Sequence, residues 1–327
     1  MRKLKSQFAI FSVALSFVAT GCQSHSTYVL VANNLKLPYW KTVDAGFEKA
    51  AAEHGATAVL NGPDGLDPQA ELEAFRQAVA RKPSGILVSV ADAALFREDI
   101  NAAIAAGIPV VTVDSDAPTS SRLYFIGTNN VAAGRLGGKR LVEKLGNKGN
   151  VVFFTYPDQP NLEDRMEGYE DEISGHAGIK IIDVVDIKGD AGNAFDATQG
   201  YVTKTGADKI DAFVCLESSS GRAVAEVLKR ANVTDRTLIA MDDDKETLQL
   251  IQDGKVEATI SQKPFTMGYV GLEALDQIHR YAHKPFKSNY TVDTFAPYPV
   301  FVDTGTALVD KMNVDLYLTN AKAAGVN

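Results

Sequence analysis

Residues 107–116 read GIPVVTVDSD. Glycine and proline open the stretch, four β-branched residues follow among apolar neighbours, and Asp114, Ser115 and Asp116 close it. An apolar run of this length, bounded by turn residues, reads as a strand buried on both faces, as in a parallel sheet. The acids then fall just past its carboxyl end. In open parallel sheets that is where ligands bind.

The same unit recurs on both sides. Short runs at 28–32, 57–60, 85–90, 108–113 and 123–126 read as strands. Helical spacing at 40–54, 68–81 and 93–106 separates them. The alternation restarts with a helix at 131–145 and continues through strands at 150–155, 180–187, 211–216, 237–241 and 256–260. A long helix follows from 265 to about 282. This predicts an α/β chain of two doubly wound parallel-sheet lobes joined by a multi-strand hinge. The boundaries read as 28–128 plus 263–291 for the first lobe, and 129–262 plus 292–327 for the second. No low-complexity tether separates them.

The composition narrows the function. The chain has 327 residues, is 45% hydrophobic and carries a net charge of −8 with no basic stripe. A nucleic-acid partner is not expected. Residues 1–22 begin with a cationic stretch, run through about ten apolar residues and end Ala19, Thr20, Gly21, Cys22, the layout of an export signal. The ending also resembles a bacterial lipobox, which implies a lipid on Cys22 and an exported, membrane-anchored protein. Of the two cysteines, Cys215 then has no partner, and its apolar run reads as core.

Chemistry gathers at the strand ends. Asn33 follows the first strand, with Pro38, Tyr39 and the sole tryptophan, Trp40, opening the next helix. Asp114, Ser115 and Asp116 follow the fourth. Asn161, Glu163 and Arg165 follow 150–155, Glu217 follows 211–216, Asp242 follows 237–241, and Gln262 follows 256–260. Carboxylates accept hydroxyl protons strongly, and aromatic rings suit the C–H faces of a sugar. Tyr39, Trp40, Asp114, Asp242 and Gln262 therefore read as a polyol site. Acids in this position also serve as helix N-caps, the stronger reading for Asp243 and Asp244.

Catalytic readings fare worse. None of the five histidines stands at a strand end beside a Ser, Cys or Asp that would make a nucleophile pair. His279 and His283, four apart, read as a solvated helix end rather than a metal site. Residues 127–139 are glycine-rich but place Arg140 where a phosphate loop needs Ser or Thr. No cofactor and no metal are expected.

These segments resemble the type I periplasmic sugar-binding proteins of ABC transporters, the ribose-binding group. The likeness rests on Pro38, Tyr39 and Trp40 with Gly46 and Phe47, on 107–114, on 126–130 with Gly134, on Arg165 with Gly168 and Tyr169, on Asp242, and on 253–262. The resemblance implies that Tyr39 and Trp40 stack on a sugar ring or close over it. It implies that Asp114 and Asp242 accept hydroxyls from the two lobes, that Gln262 bonds one near the hinge, and that Asn33 lines the same cleft. Partners would be a sugar or polyol and an ABC permease, with the protein a monomer. Ser115 and Glu163 stand where ribose-type members carry arginines, Leu216 or Glu217 where they carry asparagine, and Gly189 where an aromatic is offered. A neutral polyhydroxylated ligand fits best. An amino sugar, or a signalling furanose of the autoinducer-2 kind, is the alternative. A sugar-responsive regulator would need a DNA-binding segment of about 50 to 60 residues at the start, where this chain has an export signal.

Overall fold

In a computed structural model, residues 25–281, 286, 293 and 295–323 are described. The first half of the chain builds one sheet from β1 (Thr27–Val31), β2 (Thr57–Asn61), β3 (Gly85–Val88), β4 (Val110–Val113) and β5 (Phe125–Gly127). The second half repeats it with β6 (Lys148–Thr155), β7 (Gly178–Asp186), β8 (Ala212–Cys215), β9 (Thr237–Met241) and β10 (Ala258–Ser261). Two late strands, β11 (Phe301–Asp303) and β12 (Ala307–Asp310), complete the edges. The orders are β11-β5-β4-β3-β1-β2 and β12-β10-β9-β8-β6-β7, the same order twice. All residues of β3, β4, β8 and β10 are buried. That is why β3 and β8 read as unbroken apolar runs, and why β4 and β10 admit only small hydroxyl side chains among apolar ones.

The helices follow from capping and spacing. In the first lobe they are α1 (Pro38–His54), α2 (Pro68–Ala80) and α3 (Ala93–Ala105), joined later by α9 (Pro264–Tyr281). In the second they are α4 (Asn130–Leu145), α5 (Pro160–Ser174), α6 (Ala191–Val202), α7 (Ser220–Arg230) and α8 (Lys245–Gln252), with α10 (Val314–Ala323) at the end. Proline stands in the first turn of both α1 and α5, where its missing N–H costs nothing. Gly55 ends α1 in the left-handed conformation.

In each lobe one helix pair crosses at glycines. A Cβ added to Gly46 of α1 would lie 2.0 Å from the carbonyl oxygen of Phe265, and one on Gly268 of α9 would lie 1.9 Å from that of Val43. In the second lobe the distances are 2.1 Å from Gly134 of α4 to the Arg165 oxygen and 2.2 Å from Gly168 of α5 to the Val131 oxygen. Only glycine lets the backbones approach this closely. The crossings set the heights of α1 and α5, whose first turns reach the space between the lobes.

Among the described residues the chain crosses the hinge three times, at 127–130, 261–264 and 303–307. Thr304 donates its N–H and its hydroxyl to the Gly127 carbonyl (2.8 and 3.0 Å), and Thr306 donates its hydroxyl to that of Ser261 (2.8 Å). Asp303 accepts the Asn129 N–H at 3.2 Å.

One expectation needs correction. Residues 292–327 do not all belong to the second lobe, because β11 pairs in parallel with β5 of the first sheet. The two parallel-sheet lobes are as expected, with β12 added antiparallel to β10 at the edge of the second. Residues 1–22, where the sequence predicts an export signal and a lipid on Cys22, and His283 lie outside the described residues, as does most of 282–291. Cys215 is buried and free, and burial pushes its thiol well above the ordinary range.

Candidate functional site

The carboxyl ends of both sheets face one cleft. From the first lobe it is lined by Asn33, Leu37, Tyr39, Trp40 and Asp114. From the second come Tyr156, Gln159, Asn161, Leu162, Arg165, Glu217, Ser218 and Asp242, with Gln262 at the hinge. The cleft holds about 350 Å³ free of protein atoms, its open mouth included.

Asp114 and Asp242 are counterparts. Each is the first residue past its strand, and each has positive φ, 62° and 68°. Asp and Asn tolerate that conformation better than other side chains apart from glycine. Each donates its N–H to the carbonyl of the neighbouring strand, Ile126 at 3.1 Å and Ile260 at 2.9 Å. The turned backbone aims both carboxylates into the cleft.

Their partners differ. Tyr39 donates its hydroxyl to Asp114 Oδ1 at 2.8 Å. Among the described residues Asp114 Oδ2 meets only Ser89 Oγ and Asn161 Nδ2, both at 3.5 Å, so it stays open to a stronger donor. Burial raises the Asp114 carboxyl against the opposing pull of Arg165. Asp242 Oδ1 accepts from Gln262 Nε2 at 2.8 Å. Burial, opposed by Arg165 and the Gln262 bond, pushes its carboxyl up to about 7. Burial and then the Asp114 and Asp242 charges push the Tyr39 phenol well above its ordinary value.

Trp40 is 2% exposed and packs its ring edge on Tyr39, with centroids 5.4 Å apart at 84°. Its indole Nε1 donates to Asn33 Oδ1 at 3.0 Å. Trp40 therefore fixes Asn33, leaving the Asn33 amide nitrogen as a donor. Trp40 is both core and cleft wall.

Arg165 is 3% exposed. It donates from Nε to Asn130 Oδ1 (2.8 Å), from Nη1 to the Leu216 carbonyl (2.8 Å) and from Nη2 to Gln262 Oε1 (3.1 Å). Thr128 donates its hydroxyl to the same Gln262 oxygen at 2.9 Å. Gln262 thus ties two hinge crossings to the second lobe. Glu217 lines the cleft, but its carboxylate is held by the N–H groups of Ser219 (2.6 Å) and Ser220 (2.8 Å) and by both hydroxyls. It works as the cap of α7.

Of the twelve residues expected from sequence, Asn33, Tyr39, Trp40, Asp114, Asn161, Arg165, Glu217, Asp242 and Gln262 meet at the cleft. Ser115, Asp116 and Glu163 do not line it. Asp116 is paired with the buried Arg122 at 2.5 Å and accepts the Thr112 hydroxyl. Ser115 is fully buried beneath the turn. Glu163 is exposed in the first turn of α5.

The sequence reading passed over Tyr156, Gln159 and Ser218. Tyr156 is the first residue past β6, so the rule that found Asp114 applies to it as well. Gln159 is buried at 3%; its Nε2 donates to Asn161 Oδ1 at 2.8 Å, and its Oε1 has no partner. A buried amide oxygen without a donor is costly. Gln159 lines the cleft, so this acceptor belongs to its wall.

Among the described residues no group of three or more His, Cys, Asp or Glu is placed to hold a metal ion. The cleft therefore offers acceptors from both lobes, a few amide donors, one committed guanidinium and aromatic walls.

Residues 28–281 match the family described as the periplasmic binding protein domain. The xylose/arabinose-binding protein of Sulfolobus acidocaldarius is 23% identical over 320 residues, spanning 92% of this chain and 75% of the relative. The ribose import binding protein of Salmonella typhimurium is 23% identical over 299 residues, spanning 90% and 97%. The solved arabinose-binding protein AraP of Geobacillus stearothermophilus superposes with a TM-score of 0.74 at 30% identity, spanning 90% of this chain and 99% of that one.

Proposed function

The chain belongs to the periplasmic binding protein family, and from that premise we propose that it captures a neutral monosaccharide or polyol between its lobes for delivery to an ABC permease. Sugar binding within ABC transport is the family trait that its relatives share, and the chain is a binding protein rather than an enzyme. The nature of the ligand is our inference.

One observation carries it: open acceptors face a single cleft from both sides. They are Asp114 Oδ2 in the first lobe, and Asp242 Oδ2 and Gln159 Oε1 in the second. A molecule with several hydroxyls satisfies all three at once and bridges the lobes. That gives the closed form contacts the open form lacks, which is what closure requires. An anion would meet two carboxylates, with the Arg165 guanidinium already engaged. A cationic sugar finds less than the sequence suggested, because Glu217 is committed to its cap and Asp116 to Arg122. Tyr39 and Trp40 wall the apolar side of the ligand.

In the same proposal the closed form docks on the permease as a monomer, and Cys22 carries a lipid that keeps the protein at the membrane. Cys22→Ala then releases the protein from membranes while leaving sugar affinity unchanged.

The test is calorimetric titration against D-ribose, L-arabinose, D-xylose, D-glucose, D-galactose, a polyol, a sugar acid and a sugar phosphate. At least one neutral member is expected to bind one-to-one, and the two anions not at all. Tight binding of an anion alone would overturn the reading.

A further inference from the structure

Away from the cleft lining, the rims of the two lobes meet at Leu66 and Gly189. Leu66 lies in the first lobe, on the loop between β2 and α2. Gly189 lies in the second, in the turn between β7 and α6. A Cβ added to Gly189 would lie 2.8 Å from Leu66 Cβ and 3.0 Å from its Cδ2. Neither residue lines the cleft.

Both sides are braced before they meet. On the first lobe, Gly62 sits against the Ala32 carbonyl so closely that an added Cβ would come within 2.3 Å of it. Leu35 donates its N–H to the Pro63 carbonyl at 2.9 Å. The loop carrying Leu66 is thereby fixed to the segment that leads into Tyr39 and Trp40. On the second lobe, Ile187 donates its N–H to the Thr155 carbonyl (2.8 Å) and accepts from the Asp190 N–H (2.9 Å) and from Asn193 Nδ2 (2.9 Å). Lys188 and Gly189 both have positive φ, 52° and 69°. This turn is a rigid socket whose floor is a glycine for two reasons, its backbone conformation and the leucine pressed against it.

We infer that Leu66 and Gly189 form a closure latch, an apolar knob and glycine socket that hold the lobes together and set affinity without reading the ligand. The contact exists only when the rims meet. Its burial therefore adds to the closed state alone and shifts that equilibrium equally for every ligand. Preformed loops on both sides keep the ordering cost of closure small.

The latch rests on the sugar-capture reading for one arm of its test and is independent of it for the other. For the first arm, Leu66→Ala and wild type are titrated against each sugar that wild type binds. The variant should weaken every one by a common factor of about 5- to 10-fold, the loss expected for a partly buried leucine, with the ranking of sugars unchanged. For the second arm, small-angle scattering follows the ligand-free chains, where Leu66→Ala should enlarge the radius of gyration. Gly189→Ala should act in the same direction, and the double variant should lose less than the sum of the two, because the added methyl no longer meets a leucine. Unchanged affinities in Leu66→Ala, or losses that differ from sugar to sugar, would overturn the latch. If wild type binds no sugar, the proposed function falls, and an unchanged radius of gyration would then overturn the latch by itself.

Discussion

The two lobes are one architecture carrying two chemistries. Strand order, the proline-led helix after the first strand, the glycine crossing and the left-handed aspartate recur in both. Yet Pro38 is followed by Tyr39 and Trp40, and Pro160 by Asn161 and Leu162. The first lobe offers two adjacent rings, the Asn33 amide and a tyrosine-bound carboxylate. The second offers several amides, one ring in Tyr156, a guanidinium and a carboxylate bound by Gln262. What is shared is what places a group at the cleft, and what differs is what the group recognises. A sugar has both kinds of surface, apolar C–H faces and polar hydroxyl edges.

The comparison breaks first at its aspartates. Asp114→Ala and Asp242→Ala should each weaken sugar binding by about 100-fold, since each removes a carboxyl group that the proposal assigns to ligand hydroxyls. Calorimetry that finds one of them near wild type would mean that a single lobe grips the ligand.

The glycine crossings are next. Gly46→Ala in the first lobe and Gly134→Ala in the second should each cost about 2 kcal/mol or more of stability by chemical denaturation, because a methyl would strike a facing carbonyl. Equal losses would show that the lobes are equally rigid, and unequal losses would locate the softer one.

A smaller effect separates the acids by pH. The Asp242 carboxyl is raised to about 7, so the folded chain holds a proton that the unfolded chain, near 3.8, has released. Stability from this group is complete below about pH 4 and is lost as pH rises through 7. The melting temperature of the ligand-free protein should fall across that window, and Asp242→Asn should flatten the slope.

The smallest effect is expected at Glu163. Glu163→Gln should leave affinity within about twofold of wild type, as for a surface charge distant from the ligand. A large loss in the same titration would return it to the site.

Much of this was legible in the sequence, and the exceptions have physical causes. Buried parallel strands betray themselves as apolar runs, and the residue closing such a run sits at the cleft, so Asp114 and Asp242 could be read directly. Glu163 could have been set aside too. Asn161 and Arg165 are four apart and share one helix face, while a residue midway between them points elsewhere. Asp116 misled because its partner, Arg122, acts through a loop whose shape the sequence does not announce. Gln159 was passed over because an orphaned acceptor is a property of its surroundings. The third hinge crossing was placed too early, at 291–292, because strands of three and four residues interrupted by Gly305 carry little pattern of their own.

The central claim, that one ligand is held by carboxylates from both lobes, is tested most directly by a crystal structure with the tightest-binding sugar of the panel. Hydroxyl oxygens of a single sugar are expected within hydrogen-bond distance of both Asp114 and Asp242, with Tyr39 or Trp40 against its ring. A sugar held by one lobe alone, or seated outside this cleft, would contradict it.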